Sequence, residues 1–492
     1  MSRIIIQNGN MCELDLPLKF AQKLYAEFAI RHPNAFYLRT RQRDMQNWDG
    51  KIHYINKHGE FKIGLLPAVY EKCTEYGIKP KVVDMRQPLP KVSKVVTKIG
   101  EYKLRPEQEK AVKSVINNKV GKVPFQIGVL DYTVNAGKTL IMSSLYLSYK
   151  KQLKTLLITN DSDWLNQARD EFKKYLPGEQ ITFVQGKVLN WSNFTIGMVQ
   201  SISRNMRFYQ NELAKVDMVL VDEADQAGSK QYQNVLTRLF NTRVRIGLSG
   251  TIYMSKLAKD KVKNMNLEVF FGKVLAEFKL KDSIKKGYST RTIVKMVPSK
   301  PWYGNWESEE VSYKEVYDDS ITFNKYARKM VYARLKWNIK QGRYPALVVC
   351  KFIAHCEKLC KYFKKKLGSK YNIACVHVDT PSKIRQQIMK DFREGKIDIL
   401  VSTTIIARGK NFPKLRYLLN AASMDSQEKS IQFLGRLVRT DSSKKKVYLD
   451  DLHYPGPYLN RHGKHRKQYY QKQELKVILL EKIWKNHPIH SL

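Results

Sequence analysis

The stretch VLDYTVNAGKTLIMSS, residues 129 to 144, carries Ala-Gly-Lys-Thr between an apolar run and an amphipathic one. Phosphate binding asks for this set. Backbone N–H groups at a helix N-terminus cradle the oxygens, a lysine reaches the terminal phosphates, and a hydroxyl holds Mg2+. Lys138 and Thr139 supply the last two, and Gly137 lets the backbone approach closely. The usual pattern starts with glycine where this chain has Tyr132. Tyr132 falls at the end of the strand, before the tight turn, so the departure matters little. Asn135 stands where such a turn often needs positive φ, which Asn tolerates. Ala136 and Leu140 complete the nucleotide-facing backbone.

A second cluster follows in MVLVDEADQAG. Its apolar residues make a buried strand, and the carboxylates come at that strand's C-terminal end, where open parallel sheets bind ligands. Asp222 would hold Mg2+ through water, and Glu223 would position or deprotonate an attacking water. Near the other end of the chain, QFLGRLVR sets Gln432, Arg436 and Arg439 at i, i+4 and i+7, on one helical face. Arginine there can stabilise charge on a transferring phosphoryl group. ATP with Mg2+ is the cofactor pair these residues imply.

These groups need elements to place them. Strand-like runs recur as FQIGVLDY, KTLLITN, FTIGMVQ, VDMVLVDE and VRIGLSGT, then again as YPALVVCK, NIACVHVD, IDILVSTT, RYLLNAAS and KKVYLDD. Helical patterns lie between them, so two tandem parallel α/β domains are expected, at 96–297 and 298–454. Residues 1–95 read as a small aromatic and basic α+β module, and 455–492 as a basic helical tail. A chain of 492 residues is too long for one core.

Lys and Arg number 88 against 45 Asp and Glu, a net charge of +43. An excess of this size indicates a polyanionic partner, with nucleic acid the usual one. Six cysteines in this length make no disulfide framework, which fits a reducing, cytoplasmic setting. Cys356 and Cys360 lie four apart in a helical pattern, a spacing for buried thiols rather than zinc. The N-terminus does not read as a signal peptide, and no run approaches the ~20 apolar residues of a membrane helix.

With both clusters in view, the chain resembles the superfamily 2 helicases: D-E-A-D after an apolar strand, behind a Gly-Lys-Thr loop. The resemblance implies two RecA-like domains and gives further residues their roles. In LRPEQEKAV, Arg105 and Gln108 would meet the nucleotide, Gln108 reading the adenine edge. Gln167 in LLITNDSDWLNQARDEF, and Gln200 and Ser201 in IGMVQSIS, would face the tracked strand. Ser249, Gly250 and Thr251 in GLSGT would couple hydrolysis to movement. Gly409 and Asn411 in ILVSTTIIARGKNFPKLRYLL would touch nucleotide and strand, although the family usually has Asp where Asn411 stands.

The ends of the chain are similar to the phage UvsW helicases, through QNWDGKIHYINKHGEFKIGLLPAVYEKCTEYG and YLNRHGKHRKQYYQKQELKV. That resemblance implies a monomeric 3′-to-5′ DNA helicase acting on forks, Holliday junctions and R-loops, with RNA–DNA hybrids as a further substrate, in the host cytoplasm. It also implies that the N-terminal module binds duplex. Arg39, Arg41, Arg43 and Lys51 would contact phosphates there, with Trp48 packing or stacking. A solvated basic face, and a core role for Trp48, stand as the structural alternatives. A duplex translocase that never separates strands would carry the same motifs. A restriction-nuclease motor would need a P-D-x(n)-[DE]-x-K cluster, which the sequence does not convincingly provide.

Overall fold

The computed structural model describes residues 2–41, 47–160, 162–252, 258–299, 311–407, 412–441 and 444–480. The chain divides into two units, Met1–Phe278 and Lys279–Leu492.

Each unit is built on a seven-stranded sheet whose strands are all parallel. Across the first sheet the strands run Ile181–Val184, Phe194–Met198, Thr155–Thr159, Met218–Asp222, Val244–Ser249, Ile127–Tyr132, Val274–Phe278. The second runs Ile373–Val376, Ile399–Thr403, Ala346–Cys350, Tyr417–Asn420, Lys446–His453, Arg291–Pro298, Lys476–Leu479. Numbered by chain position within each sheet, both read 3-4-2-5-6-1-7. The central strands are buried along their whole length, as parallel strands covered on both faces must be.

The repeated topology moves two expected boundaries. Arg291–Pro298 is the first strand of the second sheet, so the second unit opens before residue 298, at Lys279. The strand alternation after 290 lapses only beyond Pro298, which is why the sequence suggested a later join. The tail also differs from a simple helical extension. Leu459–Lys472 is helical, but Lys476–Leu479 then pairs in parallel with Ile293–Met296 as the seventh strand. Arg466, in that helix, is fully buried and bonds both oxygens of buried Asp451 at 3.0 and 3.1 Å through Nε. Its other nitrogens donate to the carbonyls of Met424 and Leu452, and Tyr470 and Asn420 donate to Asp451 at 2.6 and 2.8 Å. A buried ion pair holds only when its remaining donors and acceptors are satisfied, and this one is well supplied.

The N-terminal residues form a four-stranded sheet, ordered Glu60–Lys62, Met11–Asp15, Arg3–Ile6, Lys81–Asp84. They are not a separable body. Their core residues, among them Ile4, Cys12, Leu66 and Val69, belong to one apolar cluster with Ile127, Val219 and Leu239. The fit at the seam is close. Gly9 N donates to Phe240 O, and a Cβ on Gly64 would stand 2.2 Å from the carbonyl oxygen of Glu268. Arg245 from the large sheet reaches Gly9 O and Asn10 Oδ1 at 2.8 and 2.6 Å.

Cys350, Cys356 and Cys360 pack in the second core, with Cys356 Sγ 3.4 Å from Cys375 Sγ. His355 bonds Tyr317 at 2.9 Å, and burial pushes its pKa down to about 3. Among the described residues no helix is long and apolar enough to cross a membrane.

Candidate nucleotide site and helicase motifs

The buried strand Ile127–Tyr132 delivers the chain to a turn, and the helix Lys138–Ser148 leaves it. Two left-handed residues shape the turn, Asn135 at φ 64° and Gly137 at φ 73°. Tyr132 is fully buried and donates to Glu107 O at 2.7 Å, so the residue that departs from the loop pattern is a strut beneath it. Leu140 N closes the first helical turn on Gly137 O at 3.0 Å, and Ala136 N bonds Thr133 O at 3.3 Å.

Lys138 Nζ lies 3.8 Å from Asp222 Oδ1. Asp222 ends the strand Met218–Asp222, two places along the sheet from the loop strand. The sheet thus brings together a lysine and a carboxylate that stand far apart in sequence. Glu223 follows at φ 52°, a strained conformation for a non-glycine residue of the kind that gathers at working sites. Thr139 Oγ1 donates to Glu171 Oε2 at 2.8 Å, and Gln167 Nε2 donates to the other oxygen of Glu171 at 2.7 Å. Gln167, expected on the nucleic-acid path, therefore braces the carboxylate beside Thr139. A threonine hydroxyl and an aspartate carboxylate are hard oxygen donors that suit Mg2+. Glu171 must release Thr139 for that role.

Gln108 differs from its expected role of reading a base. It is only 2% exposed, and both ends of its amide are engaged. Oε1 accepts from Arg105 N and Nε2 donates to Ala136 O, each at 2.8 Å. Arg105 Nη2 donates to Asn135 O at 3.0 Å. In this structure the pair straps the phosphate loop from outside.

Ser249 and Thr251, expected to couple hydrolysis to movement, are tied to the acidic cluster. Ser249 Oγ donates to Asp225 Oδ1 at 2.7 Å and lies 3.0 Å from Thr251 Oγ1. A Cβ on Gly250 would stand 3.0 Å from Thr133 Cα, so this segment runs directly against the loop entrance. Asp225 and Glu171 were missed from sequence. The signal for Asp225 was its place as the last acid of D-E-A-D, and for Glu171 its i+4 spacing from Gln167. Gln200 Nε2 donates to Asn160 O at 3.2 Å, and Ser201 Oγ accepts from Gly186 N at 3.1 Å, so both are engaged within the protein.

In the second unit, Gln432 and Arg436 lie on the helix Gln427–Leu437. Arg439 does not continue it. The helix stops because Val438 caps it and Lys444 Nζ takes Leu437 O at 3.1 Å. Arg439 is held instead at the start of the neighbouring strand, its carbonyl accepting from Thr290 Oγ1 at 3.2 Å. Burial lowers the pKa of Lys444 to about 8.

In the N-terminal sheet region Trp48 is half-buried, donates Nε1 to Lys51 O at 2.8 Å and packs edge-on to His32. It packs against His32 at intermediate exposure, short of a core position. Arg39 is exposed. Arg43, Gly409 and Asn411, and the side chain of Arg41, lie outside the described residues.

Comparison with known proteins agrees with this arrangement. Residues 101–254 match the type III restriction enzyme res subunit family, and residues 328–441 match the helicase conserved C-terminal domain. In these two segments the chain is similar to the superfamily 2 helicases. The two matches fall one in each unit, on the segments that carry Lys138 and Arg436. The chain is 22% identical over 382 residues, 72% of its length, to a candidate helicase of Sulfolobus islandicus filamentous virus (isolate Iceland/Hveragerdi). It spans 65% of that relative's length, less than two thirds. The fold is similar to the type ISP restriction-modification enzyme LlaBIII bound to DNA, with TM-score 0.56 and 12% identity over 86% of this chain and 35% of that one. T4 UvsW aligns with 97% of this chain and 98% of its own, at 19% identity and TM-score 0.44.

Proposed function

We propose that this chain is an ATP-dependent DNA helicase of 3′-to-5′ polarity. Its substrates are branched molecules, namely forks, four-way junctions and R-loops, in phage replication, recombination and repair. One observation supports the motor reading most strongly: Lys138 stands 3.8 Å from Asp222 above a turn with two left-handed residues. The reading of branched DNA rests on the resemblance of the chain's two ends to the UvsW family. The charge of +43 supports a polyanionic substrate.

In this proposal Lys138 binds the terminal phosphates, and Glu223 orients the attacking water and accepts its proton. Arg436 and Arg439 stabilise the charge that spreads over the transferring phosphoryl group. Thr139, and Asp222 through water, would hold Mg2+, which would supply positive charge at the phosphate oxygens. Asp225, Ser249 and Thr251 pass the change at the phosphate end to the strand-binding surfaces.

The test compares synthetic four-way junctions, R-loops, 3′-tailed duplexes and 5′-tailed duplexes, each with and without ATP. Strand separation of the first three, and not of the 5′-tailed duplex, is the expected result. ATP turnover stimulated by DNA with no strand separation would replace this reading with a duplex translocase.

A further inference from the structure

Two features of the N-terminal region conflict with ordinary surface design. Phe36, on the short helix Ala35–Arg41, is 80% exposed. Arg31 and Lys51 face each other directly across the two-stranded antiparallel ribbon Ala29–Arg31 and Lys51–His53. Like charges placed directly opposite destabilise a strand pair. Both features line one groove of about 530 Å³, together with Arg39, Asp49 and Gly50. Local conflicts of this kind mark functional positions when a ligand resolves them.

The groove is built rather than loose. Gly50, at φ +78°, lets the backbone pass Ala35, where an added Cβ would meet the Ala35 Cβ at 3.2 Å. His32 N donates to Gly50 O at 2.8 Å, and Trp48 holds the Lys51 carbonyl. The acidic residue of the lining, Asp49, is exposed, with both carboxylate oxygens engaged. Asp49 Oδ2 lies 2.7 Å from His53 Nε2, and Oδ1 accepts from Lys51 N at 2.9 Å. His53 in turn stacks on Tyr25 at 4.1 Å. Arg31, Arg39 and Lys51 outnumber that one carboxylate, so the groove is net positive. An exposed ring beside a cationic floor is the chemistry of an unstacked base with its phosphate: the π-face takes the base and the cations take the backbone.

We propose that this groove holds one unpaired nucleotide of a DNA strand, its base stacked on Phe36 and its phosphate on Arg31 and Lys51. The proposal rests on the reading of the chain as a DNA helicase. It narrows the N-terminal region's expected ligand from duplex to a strand that has left the duplex, as at a branch point.

The experiment uses the full chain, a junction with 2-aminopurine at an unpaired branch position, and a fully paired duplex of equal length. Phe36→Ala should weaken binding of the unpaired site by roughly 5–100-fold and abolish the quenching of 2-aminopurine. The paired duplex should change little, and Phe36→Trp should restore both signals. Because Phe36 is mostly exposed, its thermal midpoint serves as a folding control and should stay at the wild-type value. Lys51→Ala should reduce the slope of log affinity against log salt by about one phosphate contact. Wild-type affinity retained by Phe36→Ala would overturn the proposal. So would equal losses on paired and unpaired DNA. Failure of the wild-type chain to bind any DNA would overturn the helicase reading beneath it, a result distinct from both.

Discussion

Substituting Gly137 by Ala tests the strap over the phosphate loop. At φ 73° an alanine carries the cost of the left-handed region, about 1–2 kcal/mol. Its Cβ would also lie 2.3 Å from Gln108 Nε2 and 3.3 Å from Arg105 Nη2. The first distance is untenable, and the atom that can give is the end of a flexible amide. Gln108 would swing away and lose its bonds to Ala136 O and Arg105 N, each worth about 1 kcal/mol net. The total is about 3–4 kcal/mol. Gln108→Ala alone loses the same two bonds, about 2 kcal/mol. In the double variant the clash is gone and those bonds are lost only once. Urea unfolding followed on the transition of the first unit should give a double-variant loss smaller than the sum of the singles by about 2 kcal/mol. Additive losses within about 0.5 kcal/mol would refute the strap, because independent sites add.

Other consequences are open to direct measurement. Arg466→Met should destabilise the second unit by about 3–5 kcal/mol in chemical denaturation, because it strands Asp451 as a buried unpaired charge. Stopping the chain at residue 454 should leave that unit unfolded by circular dichroism, since it removes the seventh strand as well as Arg466. Burial lowers Lys444 to about pH 8 from the 10.5 of a free lysine. The folded state therefore binds fewer protons than the unfolded state between those values, and stability from this group rises with pH across that window. Lys444→Met should remove that rise from a series of unfolding curves between pH 7.5 and roughly 10.5. Ser249→Ala breaks the 2.7 Å bond to Asp225 and should lower unwinding about tenfold or more while ATP turnover changes less than about threefold, in paired assays of the two.

Local chemistry was legible in the sequence, and long-range partnership was not. Buried runs such as IGVLDY and MVLVD announce parallel strands because both faces are covered, and that placed Asp222 at a strand end and Lys138 at the turn beyond one. Nothing local shows that Gln108 bonds Ala136, or that Glu171 takes Thr139, because those partners meet only when helices dock. Arg439 was expected one turn beyond Arg436 on a helix. Periodicity cannot show that Lys444 caps the helix at Leu437. The tail looked like a surface helix because it is rich in Lys and Arg. Among the described tail residues Arg466 alone of those charges is sunk against Asp451, which the composition does not reveal. The N-terminal region looked separable for a related reason: its seam with the rest of the unit includes close steric fits at Gly9 and Gly64 and hydrogen bonds from Arg245, none of which carries a sequence pattern.

The central claim is that Lys138 and the acidic cluster around Asp222 form an ATP-hydrolysing site driven by nucleic acid. It is tested most directly by steady-state ATP hydrolysis with and without a four-way DNA junction, for the wild-type chain and for Lys138→Ala. The account predicts turnover stimulated by DNA in the wild type and a fall of ~10²-fold or more in the variant, with junction affinity unchanged. Turnover retained by Lys138→Ala, or no hydrolysis by the wild type under any nucleic acid, would contradict it.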